Sequence, residues 1–164
     1  MVTAMGNWVE IRVDIGELGR MARMFPLMEE QIEDMTPIWE DVAEAMRGRL
    51  EKTFTDEGPG WSQLAPLTQA LRRARGYGAA HPILVQTGAL KRSLTVAGAA
   101  DSIEDIQPQS LTFGTKIPYA AIHQHGTGRV PARPILQPEQ LIRVISRAIA
   151  DHVTTETRRA ARKV

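Results

Sequence analysis

From Trp8 to Asp14 the chain alternates, with Val9, Ile11 and Val13 set against Trp8, Glu10, Arg12 and Asp14. A period of two predicts a strand with one buried face. Asp14 followed three residues later by Glu17 resembles a capping box, which predicts a helix toward Met24, interrupted at Pro26. A second, acidic helical stretch around Glu29, Glu30, Glu33 and Asp34 follows. Thr36-Pro37 reads as an N-cap and the proline favoured at the first helical position. Beyond it Ile38, Val42, Ala45, Met46, Leu50 and Phe54 recur at spacings of three and four, predicting a helix from Pro37 to about Phe54 with this stripe facing the core. The turn cluster DEGPGW, 56–61, ends it, and Trp61, Leu64 and Leu67 are expected to tuck back underneath.

A short helix is expected from Thr68 to Arg75, stopped by Gly76-Tyr77-Gly78, with a mobile loop through Ala80. ILVQTGALKRSL, 83–94, supplies an N-cap at Thr87 and one or two helical turns with Leu90 and Leu94 inside. Three strands are expected next, Leu94 to Ala97, Ser102 to Gln107 and Ser110 to Thr115, as an antiparallel meander. Leu94, Val96, Leu111 and Phe113 form its buried side, and Thr95, Thr112 and Thr115 the other. Tyr119 to Gln124 reads as one helical turn. Pro138 opens a last helix whose inner stripe is Leu141, Ile142, Ile145, Ala148, Ile149 and Val153, running into a basic tail. The fold class expected is α+β, a small antiparallel sheet (meander plus N-terminal strand) packed against long helices. A single domain is expected over 1–164, with 1–36 as an N-terminal strand and helix extension.

Composition narrows the chemistry. At 43% hydrophobic and 24% charged the chain is of ordinary globular type, and a net charge of +1 gives no overall mandate for nucleic acid. Arg72, Arg73, Arg75 and the C-terminal RRAARKV are locally basic, as solvated faces commonly are. The absence of cysteine removes disulfides, thiolate metal sites and cysteine nucleophiles, and suits a reducing cytoplasm. Charges come too early in MVTAMGNWVEIRVD for a signal peptide, and no apolar run approaches the ~18 residues of a membrane span. His123 and His125 are the one metal-like pair, but their spacing brings them to one face only in an extended segment, and no carboxylate lies near them in sequence. No nucleophile elbow, phosphate-cradling loop or zincin helix is present, so no catalytic residue, metal or cofactor is expected.

The stretch Ile117 to Leu136, IPYAAIHQHGTGRVPARPIL, points elsewhere. Gly126 and Gly128 loosen its middle, while Pro131 and Pro134 fix their own φ and push Val130 and Arg133 toward extended geometry. A stiff arm carrying Arg129 and Arg133 suits docking on a carboxylate of a neighbour better than holding a small substrate. Tyr119, His123, His125, Arg129, Pro131, Arg133 and Pro134 are the candidate subunit-interface residues, with little expected of the arm in the fold of one subunit.

Four motifs, FTDEGPGWSQL from Phe54, LVQTGALKRSL from Leu84, IPYAAIHQHG from Ile117 and VPARPIL from Val130, stand in an order and spacing that resembles the phage virion morphogenesis family, the Mu-like tail completion proteins. The likeness spans about residues 40 to 150, and His125 stands where it expects an aromatic residue. The resemblance implies a non-enzymatic virion component of the head–tail junction or tail end, made in the bacterial host cytoplasm. Its partners would be its own copies in a ring and other head–tail junction or tail proteins, with DNA only passing through the lumen and no membrane. The alternative is a small DNA-binding or regulatory module using the basic clusters.

Overall fold

A computed structural model describes residues 2–3, 9–14, 34–58, 60–78 and 81–161. The helical segments expected between Asp14 and Glu33 lie outside the described residues, as does the end of the loop at Ala80.

The period-two segment is a strand, β2 (Val9–Asp14), preceded by a two-residue strand β1 (Val2–Thr3). Next come helices α1 (Thr36–Thr55), α2 (Pro66–Ala74) and α3 (Ala89–Thr95), strands β3 (Ser102–Gln107) and β4 (Ser110–Thr115), and helices α4 (Tyr119–His125) and α5 (Pro138–Ala161). The strands form an antiparallel sheet in the order β1-β2-β4-β3, so the fold is α+β. β4 is central. Its Phe113 stands opposite Ile11 and its Thr115 opposite Val9, which places Val9, Ile11, Leu111, Phe113 and Thr115 together on the buried face. Gly114 is required at this junction, since a Cβ there would lie 2.2 Å from the Val9 carbonyl oxygen.

Two of the three expected strands have the predicted ends. The third does not form, because the residues around Leu94 belong to α3. Leu90 and Leu94 are four apart, one helical turn, and both are buried; Val96, which a strand would have turned inward with Leu94, is 51% exposed. Thr115 also departs from the polar face assigned to it. Its hydroxyl lies 2.7 Å from that of Ser93 on α3 and accepts from the Ile117 N–H, so both buried hydroxyls are satisfied.

α1 is the spine, in contact with β3, β4, α3 and α5. Its expected stripe is buried at Ile38, Val42, Met46, Leu50 and Phe54, but the face is wider, with Trp39 and Ala43 at 0% exposure and Ala45 only half-buried. Thr36 is its first helical residue rather than its cap. The Thr36 N–H is instead satisfied by Asp34 Oδ1 at 2.9 Å. Arg47 reaches the sheet through Glu104, 2.5 Å away, and pairs with Glu44 on its own helix. α5 runs antiparallel to α1: Arg49 bonds Gln140 near the start of α5, while His152, farther along, lies 2.7 Å from Asp41 near the start of α1. Leu141 and Ile145 are its buried contacts, whereas Ile142, expected inside, is 61% exposed, and Val153 lies among side chains not described.

Candidate assembly surface

At the C-terminal end of α1 the chain turns, and Trp61 packs edge-on against Phe54 with ring centroids 6.0 Å apart. Leu64 is half-buried beside it, but Leu67 is 71% exposed and does not join this corner. The corner is where the proline arm docks. The Trp61 indole N–H donates to the Pro134 carbonyl at 3.0 Å, and the Arg133 guanidinium donates to the carbonyls of Ser62 at 3.0 Å and Gln63 at 3.3 Å.

α4 holds the arm from its other side. Gln124, buried, accepts from the N–H groups of Ile135 and Leu136 at 2.9 and 3.0 Å and donates to the Leu136 carbonyl at 2.6 Å. The side-chain amide thus replaces a strand partner for a segment that its prolines exclude from a ladder. The Arg133 N–H donates to the His123 carbonyl at 2.6 Å. Gly126 closes α4 at φ 73°, where an added Cβ would lie 2.8 Å from the Ala132 nitrogen, so the arm folds back against a position open only to glycine.

These bonds overturn the expectation that the arm contributes little to its own subunit. Arg133 is 5% exposed, and its Nε and one Nη donate to carbonyls of the same chain. Pro134 is half-buried with its carbonyl engaged. Tyr119, Arg129 and Pro131 remain exposed. His123 and His125 diverge on α4 as a helical i, i+2 pair must: His123 is half-buried with Tyr119 edge-on at 6.0 Å, and His125 faces outward. Among the described residues no group of three or more His, Cys, Asp or Glu side chains is placed to hold a metal.

Tyr119, His123, Arg129, Pro131 and Arg133 meet residues that the sequence reading left to solvent. Together with α2 they line an open groove of about 670 Å³, to which α2 contributes Leu71 and Arg72, and the residue after its end, Arg75. Four arginines line it and, among the described residues, no carboxylate does. Burial first, and then repulsion from Arg72, holds the Arg133 pKa below its ordinary value, as expected where cations crowd without anions. Burial first, and then Arg133, likewise lowers the His123 pKa. None of the α2 residues is buried, although Leu67 and Leu71 lie one turn apart on it. The signal in the sequence was that apolar pair followed directly by Arg72 and Arg75, a pattern that also fits a solvated helix.

The molecule is a buried sheet-and-helix body with an external amphipathic helix beside a cationic groove. The family model for the phage virion morphogenesis family matches residues 17–162, and the chain belongs to that family. It therefore has a role in phage structure or assembly and is associated with the virion. No curated protein and no solved structure matches the chain. Among the described residues no helix is long and apolar enough to cross a membrane.

Proposed function

We propose that the protein is a non-enzymatic subunit acting in tail completion or head–tail connection, assembling with its own copies into a ring in the host cytoplasm. Its further partners are other head–tail junction or tail proteins, and DNA meets it only in passing through the ring. Family membership supplies the setting. The observation that carries the reading is α2: a helix with no buried residue, presenting Leu67 at 71% and Leu71 at 50% exposure beside the groove. Exposed apolar side chains grouped with arginine are typical of surfaces that become interfaces. A ring needs a heterologous contact, one patch meeting a different patch on the next copy, and an external helix of this kind suits one half of it.

The four arginines in one groove favour a second reading, a small module that binds DNA. The two separate on native mass measurement across concentrations and on binding to duplex DNA at varied salt. A discrete oligomer indifferent to DNA, together with loss of mature virions when the gene is deleted, supports the assembly reading. A persistent monomer with steeply salt-dependent DNA affinity replaces it with the second.

A further inference from the structure

A surface separate from the arginine groove differs from it in sign. A second cleft, of about 480 Å³, opens between the first half of α1 and the second half of α5, lined by Glu40, Asp41, Asp151 and His152 with small residues such as Ala45 and Ala148 between them. Asp41 is held by His152 at 2.7 Å, and Asp151 has an exposed, long contact of 3.8 Å with Arg147. Glu40 is exposed. The arginine groove adjoins Ser62 and Gln63, just past the C-terminal end of α1, whereas Glu40 and Asp41 lie in the first turns of the same helix. At about 1.5 Å per residue the two sites are on the order of 20 Å apart along that axis. One copy therefore cannot close its own acidic cleft on its own basic groove.

We propose that the arginine groove of one copy receives the acidic α1–α5 cleft edge of the next, a head-to-tail contact between copies of this chain. The inference rests on the self-assembly reading above and names its two faces. Charge complementarity selects the occupant: among the described residues the groove has cations and no anion, the cleft has three carboxylates, and the cleft lies along the first turns of α1 while the groove lies beyond its C-terminal end. Two unlike faces so placed add copies in one direction, which is the geometry a ring requires. Leu71 on the groove and Ala45 and Ala148 in the cleft supply apolar area between the charges.

The test reverses the outward charges only. Arg75 and Arg129 are exposed, with no side-chain ion pair among the described residues, and Glu40 and Asp151 are exposed at the acidic cleft. Arg75→Glu with Arg129→Glu, and separately Glu40→Arg with Asp151→Arg, should each weaken self-association roughly a hundredfold in sedimentation velocity, since like charges then face each other. The chain carrying all four changes should associate again, whatever the number of copies, because both faces have exchanged sign. Thermal melts of each variant verify that the fold is retained. A wild-type oligomer insensitive to either pair, or a four-change chain that remains dissociated while folded, overturns the assignment of faces and leaves the assembly reading standing. A wild-type chain that stays monomeric at every concentration overturns both. Loss of binding to a duplex DNA oligonucleotide in the Arg75, Arg129 variant, with self-association unchanged, assigns the groove to nucleic acid instead.

Discussion

His123 lies half-buried between groove and core, with an Nδ1 enclosed and without a hydrogen-bond partner. Burial first, and then the Arg133 charge, depresses its pKa from the ordinary 6.5. A depressed folded-state value means that the unfolded chain takes up the proton more readily. Stability is therefore full above the unfolded value of about 6.5 and falls as pH drops through it toward the lower folded-state value. Melting temperatures taken at about pH 7.5 and about pH 5.5 should fall more for the wild type than for His123→Phe, which removes this titration. Equal acid sensitivity in both chains would place the acid-labile group elsewhere. The histidine type and its spacing from His125 were readable in the chain. Its enclosure was not, because it depends on Arg133 folding back across α4.

At the scale of elements, α5 separates what periodicity can say from what packing decides. The helix was legible from Pro138 and its repeated aliphatic residues, but the stripe of six was too broad. Among the described residues α1 is its main neighbour, and Leu141 and Ile145 are buried while Ile142 is 61% exposed. Ile145→Ala should cost about 2 to 5 kcal/mol in urea unfolding, the usual loss on emptying a packed aliphatic site. Ile142→Ala should stay within about 0.5 kcal/mol, as surface changes do. Similar losses at both would mean that α5 is rotated relative to α1. The α3 segment erred in the opposite direction. Leu94 and Val96 satisfied a strand pattern, yet Leu90, four residues before Leu94, satisfied a helical one, and the covered surface of β4 and α1 selected the helix.

In the whole molecule the proline arm joins segments that are far apart in sequence. Arg133 binds carbonyls some seventy residues earlier, the arm's backbone is paired by Gln124, and Pro134 accepts from Trp61. Removing the Arg133 guanidinium takes its hydrogen bonds from the Ser62 and Gln63 carbonyls. Arg133→Ala should lower unfolding stability by about 1.5 to 3 kcal/mol, the range for hydrogen bonds to a charged group. Arg133→Lys should recover only part of it, because a point charge does not span both acceptors. Chemical denaturation of the three chains compares these values. Full stability in Arg133→Ala would return the arm to a purely external role.

The sequence by itself determined the strand β2, the spine α1, the β3–β4 hairpin and the closing helix α5, since each is encoded by the period of its own residues and by local turn chemistry. Its four spaced motifs also carried the likeness to the family that the chain belongs to. Only the tertiary structure decided that Arg133 is an internal clasp, that Arg72, Arg75 and Arg129 line one groove, and that an acidic cleft lies apart from it along the first turns of α1. A local pattern states which side chains prefer water. It does not state which distant carbonyl or like charge they will meet, and at these positions that meeting sets both the burial and the sign of the surface.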